Sequence, residues 1–363
     1  MTPSTPLPDA LRTVHRTVHR TVRRAMAATV PLAVVLALLG ACADARPTDD
    51  PPGARVTAAA PEADAGAAGH FPVTVDNCGF EVTVQTPPER VVTIKSSATE
   101  MLLALGLGDR IVGTGFPDGP VPDAWAEAAA DLPLLSDRVP AAEVVLGTEP
   151  DLVYAGWESN LTAEGAGDRA VLADLGVATY VSPSACKDPA YQPDRLTFEA
   201  VFDEIVEVAA LLGVPQAAEE LVGEQQAALA GVVPDDRGLT ALWYSSGTDI
   251  PYVGAGIGAP QMLMDALGLT NIAAEVGDTW TSFAWEQVAA VDPDVIVLVD
   301  ATWNTAEAKR ELLASSPVTA NLTAVREERY LVVPFAGSEA GVRTVPATVD
   351  LAAQLADLDL TSP

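Results

Sequence analysis

Lys95, Arg138 and Arg343 are scarce cations in an acidic chain, and each lies near the end of a predicted strand. The 363 residues carry 20 Lys and Arg against 50 Asp and Glu, a formal net charge of −30. Removing residues 1–41 takes away five arginines and Asp9, which leaves 15 basic and 49 acidic side chains and a net charge of −34. A cation held at a strand end in such a chain is a candidate contact for an anionic ligand. Loops after predicted strands also carry Ser96, Ser97, Trp157, Trp243, Tyr244, Ser245, Trp280 and Trp303. Their aromatic rings can stack on a flat ligand ring. A plainer account competes, in which about half of these side chains are core aromatics or members of surface ion pairs.

The chemistry left out is equally informative. All three histidines, His15, His19 and His70, precede the region with strand and helix signals. A Ser-His-Asp triad, a His-paired cysteine nucleophile and a histidine-rich zinc centre each require an imidazole. Carboxylate pairs remain possible, but carboxylates are too plentiful for any one pair to stand out; no cofactor or metal site is expected. The run Gly254-Ala255-Gly256-Ile257-Gly258 lacks the spacing of the dinucleotide fingerprint or the Walker lysine motif. It reads as a tight connection after a strand, with the alternative that its backbone N–H groups face a ligand. The acidity also argues against nucleic acid as a partner, since a phosphate backbone would be repelled.

The elements that must position these residues alternate between strand and helix. Residues 43–70 are almost all Ala, Asp, Pro, Gly and Glu, too poor in large apolar groups to bury a core. Pro72 to Val75 and Phe80 to Gln85 predict a hairpin around Asp76-Asn77-Cys78-Gly79. Arg90 to Lys95 predicts a buried strand, and Ala98 to Leu105 a helix capped by Ser96 and Ser97. The alternation that follows predicts parallel α/β packing.

An internal repeat divides the chain. Glu143-x-Val145-x-x-x-Glu149-Pro150-Asp151-Leu152-Val153 is echoed 143 residues later by Glu286-x-Val288-x-x-x-Asp292-Pro293-Asp294-Val295-Ile296. Ala98 to Leu107 is echoed by Ala259 to Leu269 with one residue inserted. Between the halves, Val201, Ile205, Val208, Ala209, Leu212, Ala217, Leu221, Ala228 and Leu229 fall at helical spacing, interrupted at Gly213 to Pro215. The fold class expected is α/β: two similar α/β lobes joined by a single long helix, with a ligand cleft between them. A single doubly wound domain with a crossover helix is the alternative.

Arg12, Arg16, Arg20, Arg23 and Arg24 precede an apolar run from Ala25 that closes in Leu39-Gly40-Ala41-Cys42. The run is shorter than the ~20 residues of a spanning helix. Its ending resembles the lipobox of bacterial lipoproteins, which implies that Cys42 is lipidated and that the protein is extracytoplasmic, anchored to the outer face of the cell membrane. Cys78 and Cys186 then form an even pair in an oxidising compartment, and a disulfide between them is expected.

Pro88-Glu89-Arg90-Val91-Val92-Thr93-Ile94, Ser97-Ala98-Thr99-Glu100 and Leu105-Gly106-Leu107-Gly108-Asp109-Arg110-Ile111-Val112-Gly113 resemble the opening of substrate-binding proteins of cobalamin and ferric-siderophore importers. The resemblance implies a monomer that binds a small molecule and delivers it to an ABC permease and its ATPase. It also implies that Glu143 and Glu286, one per lobe, dock on the permease. Residues 1–41 would be a signal peptide, 42–70 a disordered tether, 71–195 the N-terminal lobe, 196–232 the connecting helix and 233–363 the C-terminal lobe. Val91 to Ser97, Tyr154 to Asn160, Ser184 to Lys187 and Leu242 to Gly247 further resemble an actinobacterial subgroup proposed to import the precursor of deazaflavin coenzyme F-420 without its polyglutamate tail. That cargo has a flat ring, a phosphodiester and a carboxylate; a ferric siderophore or cobalamin is the alternative. From a different class, an extracytoplasmic enzyme or adhesion module on the same lobes stays open.

Overall fold

The computed structural model describes residues 71–358 and residue 360; Cys42, the signal and the tether lie outside the described residues. The hairpin β1 (Val73–Asn77) and β2 (Phe80–Val84) is antiparallel, with Asn77 paired to Phe80 across the turn. Five parallel strands follow: β3 (Val91–Ile94), β4 (Ile111–Gly115), β5 (Leu134–Ser136), β6 (Leu152–Ala155) and β7 (Ala178–Val181), in the order β5-β4-β3-β6-β7. Every residue of β3 and β6 is buried, as expected of parallel strands covered on both faces.

The second sheet is built from β8 (Thr240–Ser246), β9 (Tyr252–Gly254), β10 (Thr270–Asn271), β11 (Trp280–Ser282), β12 (Val295–Asp300) and β13 (Tyr330–Pro334). Its order is β11-β9-β8-β12-β13, with β10 also beside β8. Strands β8, β10, β12 and β13 are parallel, whereas β9 pairs antiparallel to both neighbours. The sheets are therefore similar at their centres and different at one edge.

The repeat has a physical meaning in each sheet. Asp151 accepts hydrogen bonds from the backbone N–H groups of Glu89 (2.8 Å) and Arg90 (3.0 Å), at the entrance of β3. Asp294 accepts from the Thr240 N–H and hydroxyl, both at 2.8 Å, at the entrance of β8. Each aspartate thus ties the start of its own strand to the start of the neighbour it pairs with. The acids before the prolines, Glu149 (φ 50°) and Asp292 (φ 53°), both turn the chain through the left-handed region. The second repeat ends helices Ser96–Ala104 and Ala259–Ala266 alike. Leu107 N–H reaches Leu102 O and Leu269 N–H reaches Met264 O, both at 2.8 Å, across glycines at φ 74° and 73°.

Two expectations need adjustment. The first helix begins at Ser96 rather than Ala98, and its cap position is Lys95 at φ 83° with no side-chain cap bond. The serines are not the cap because the Asp118 carboxylate takes that part from outside, accepting the Ser96 N–H at 3.2 Å. The helical connection is two helices, Phe198–Leu212 and Pro215–Leu229, broken where the glycine and proline interrupt the pattern. Gly213 (φ 75°) lies so close to Pro87 that a Cβ there would meet its ring at 2.9 Å. Leu196, just before the first of these helices, packs in the core of the second sheet and donates to Ile257 O at 2.8 Å. Arg110, in the first lobe, donates to Leu212 O at 2.8 Å. The Phe198–Leu212 helix therefore spans from one lobe to the other.

Asp151→Ala and Asp294→Ala are each expected to lower unfolding stability by about 1–3 kcal/mol, since each removes hydrogen bonds to a charged acceptor. The two losses should add in the double variant, because the sites lie in different sheets. Urea denaturation followed by circular dichroism measures both.

Candidate functional site

The parallel strands of both sheets end at one cavity of about 520 Å³, a size that takes a drug-sized ligand. The first sheet contributes Trp157 to Ser159 after β6 and the segment 184–193 after β7. The second contributes Ser245 and Ser246 at the end of β8, Trp303 after β12, and Phe335 with Ser338 to Ala340 after β13. The antiparallel edge strands β9 and β11 add Tyr252 and Trp280, whose rings stack 6.1 Å apart at an interplanar angle of 15°. Carboxyl ends of parallel strands are where α/β sheets generally hold ligands, because backbone and loops diverge there.

Of the residues expected at a ligand, Trp157, Ser245, Trp280 and Trp303 line this cavity. Trp303 is half exposed and meets the Phe335 ring edge-on at 5.5 Å. Trp243 and Tyr244 do not line it. They occupy opposite faces of central strand β8 and are buried in separate core clusters; Tyr244 spends its hydroxyl on Gly247 O at 2.6 Å. An aromatic pair on a strand covered by helices on both sides is core, which the strand pattern alone could not separate from a strand end. Arg138 is exposed in the loop after β5 and also lies off the cavity wall.

Lys95, Ser96 and Ser97 lie behind the wall. Lys95 is 1 % exposed and ion-paired with Asp118. Its Nζ lies 3.9 Å from the Trp157 ring centre, 4.2 Å from Phe116 and 4.8 Å from Phe335, a cation held in an aromatic cage. Asp118 N–H donates in turn to Ser96 Oγ at 2.9 Å. Gly156 rests on Ser97, where a Cβ would meet the serine Oγ at 2.7 Å. Arg343 pairs with Glu100 at 3.2 Å. Both cations are thus neutralised by carboxylates of the chain itself, and Lys187 is the cation lining the cavity among the described residues.

Sequence reasoning passed over Tyr252, Phe335 and Glu339. Phe335 and Glu339 follow a predictable strand, so the signal used for the other candidates was present for them too. Glu339 Oε2 accepts the Trp157 indole N–H at 2.5 Å, joining the two lobes across the cavity. Burial pushes the Glu339 carboxyl up to about 7, against the opposing pull of Lys95 and the Trp157 hydrogen bond. Burial likewise pushes Glu100 up to about 7, opposed by Arg343, and raises Asp118 against the pull of Lys95. Glu143 and Glu286 are exposed, each the second residue of a short helix, Ala142–Leu146 and Trp285–Val291. Cys78 and Cys186 are disulfide-bonded, with Cα atoms 5.3 Å apart.

Two α/β lobes closing on one aromatic-walled cavity define a two-lobed solute-binding protein. The chain belongs to the periplasmic binding protein family, whose model matches residues 91–336. It is 25 % identical over 291 residues to an uncharacterized ABC transporter substrate-binding lipoprotein, YvrC, of Bacillus subtilis (strain 168), covering 78 % of this chain and 85 % of that one. It is 29 % identical over 280 residues to a cobalamin-binding protein of Halobacterium salinarum (strain R1), covering 73 % and 69 %. Among solved structures it is similar to the ABC-type Fe3+-hydroxamate transport system protein of Saccharomonospora viridis DSM 43017. The TM-score is 0.68 and the identity 25 %, over 78 % of this chain and 99 % of that one.

Because Glu100 and Glu339 keep their protons to higher pH in the folded chain than in the unfolded one, folding takes up protons between about pH 4.5 and 7. Stability should therefore fall as pH rises through that window. Glu339→Gln keeps an acceptor for Trp157 and should make the fall shallower. Tryptophan emission should titrate near pH 7 in the native protein and lose that step in the variant.

Proposed function

We propose that this periplasmic binding protein is the extracytoplasmic capture subunit of an ABC importer, tethered through a lipid on Cys42, and that it binds a flat conjugated cargo and hands it on unchanged. The observation that carries this is the aromatic wall: Trp157 from one lobe faces Tyr252, Trp280, Trp303 and Phe335 from the other around a single cavity. Rings of this kind stack on a planar ligand and bury large apolar area. The deazaflavin precursor without its polyglutamate tail fits the type, its phosphodiester and carboxylate meeting Lys187 and the hydroxyls of Ser184, Ser245, Ser246 and Thr279. Those groups replace Lys95 and Arg343 as anion contacts, since both arginine and lysine are spent on buried carboxylates.

Cobalamin is the second reading. It is favoured by the Halobacterium relative and by the acids Glu158, Asp278 and Glu339 in the wall, which suit a cargo of low negative charge. Glu143 and Glu286 serve as permease contacts in both readings. Each exposed carboxylate offers one charge-assisted bond per lobe, enough to fix orientation on a basic partner surface. Residues 71–195 and 233–363 act as the lobes, and the protein works as a monomer.

Calorimetric and fluorescence titration with the deazaflavin precursor, cyanocobalamin and a panel of ferric siderophores tests the cargo. A flat-ring ligand should bind saturably and lose about tenfold in affinity on Trp280→Ala, the size of one aromatic contact. Binding only of a siderophore without a conjugated ring would overturn the flat-ring cargo and leave the transport role standing. Glu143→Arg with Glu286→Arg should leave that affinity unchanged while abolishing cargo uptake by cells.

A further inference from the structure

We propose that the β1–β2 hairpin, through the Cys78–Cys186 disulfide, fixes the wall of the ligand cavity and thereby sets how long cargo stays bound. The consequence for cargo rests on the cavity being the cargo site; the positioning itself does not.

The segment after β7 forms one short turn, Pro183–Ala185, and then no helix or strand until Phe198. It nonetheless supplies Ser184, Ala185, Cys186, Lys187, Gln192 and Pro193 to the cavity wall. Such an irregular run has no hydrogen-bonded ladder, so contacts from outside it weigh heavily in fixing its shape. The hairpin turn provides that hold at three places. Cys78 is bonded to Cys186. Asp76 Oδ2 accepts the Tyr191 hydroxyl at 2.8 Å. Gly79, at φ 77°, lies under the Tyr191 ring so closely that a Cβ would meet it at 3.1 Å.

The hairpin turn is itself fastened to the first sheet. Asn77 is 1 % exposed; its side chain donates to Val181 O and accepts from Val181 N–H, both at 2.8 Å. Arg169 donates to Asn77 O and to its Oδ1, each at 2.9 Å. Val181 ends β7 and Cys186 lies five residues on, so the hairpin grips the chain on both sides of the turn by which it leaves the sheet. Inside the wall, Gln192 Nε2 donates to Cys186 O at 3.1 Å and Lys187 N–H to Glu158 Oε2 at 2.6 Å. The position of Cys186 is therefore passed on to Glu158, which neighbours Trp157.

The test compares the full chain with its Cys78→Ser/Cys186→Ser variant by amide hydrogen exchange without ligand. A rate of dissociation is then measured for whichever of the deazaflavin precursor and cyanocobalamin the native protein binds. Exchange across residues 183–193 should rise about tenfold while β12 and β13 are unchanged, and the bound probe should leave about tenfold faster. Unchanged exchange in 183–193, or an equal rise in both sheets, would overturn the proposal. If the double variant does not fold, Tyr191→Phe loosens the same wall with the disulfide intact and should give a smaller rise confined to the same residues. A native protein that binds neither probe counts against the proposed cargo, whereas the exchange data decide the positioning by themselves.

Discussion

The rest of the site depends on one buried ion pair, Lys95 with Asp118. Two charges taken out of water are tolerable only together, because the loss of either leaves the other without compensation. This pair has further obligations. Asp118 also caps the helix that starts at Ser96, and Lys95 holds a left-handed backbone between β3 and that helix. The lysine head group fills the space between Phe116, Trp157 and Phe335, so one cation fixes rings from both lobes. Thr302 N–H reaching Asp118 O at 3.5 Å adds a second contact from the far lobe. The wall of the cavity is thus built on an ion pair that lies buried behind it.

The two lobes share a plan and differ where difference serves binding. The shared parts are those that close a parallel sheet: the aspartates that tie strand entrances and the glycine turns that end the paired helices. The difference is the antiparallel edge of the second sheet, where β9 and β11 carry Tyr252 and Trp280 into a stack. The first sheet has instead the irregular segment after β7, held from outside by a hairpin. One lobe offers a flat aromatic platform and the other a rim of irregular backbone. At the carboxyls between them, Glu100 and Glu339, burial outweighs the opposing counter-charges and raises both to about 7.

Much of the fold was legible because it rests on local pattern. The mainly apolar runs of β3 and β12, the Gly-Val-Pro interruption of the helical connection and the acid-Pro-Asp turns carry their structure in a few adjacent residues. The candidate site was legible only in part. Trp157 and Trp303 follow strands, Trp280 opens β11, and all three reach the cavity, but Trp243 lies within β8 and is core, since the direction of a side chain on a strand depends on register against its neighbours. Arg343 and Lys95 were recognised as scarce cations, yet their partners Glu100 and Asp118 lie 243 and 23 residues away. No spacing rule links such positions.

The sequence by itself determined the alternation of strand and helix, the duplication, the even cysteine pair and the lack of imidazole chemistry from residue 71 onward. These follow from composition and from periodicities that a chain imposes on itself. Tertiary structure alone decided which cations remain free, which aromatics face the cavity and which carboxyls burial raises. Those properties belong to pairs of groups brought together from distant parts of the chain. Their energies depend on burial and separation, which the order of residues does not contain.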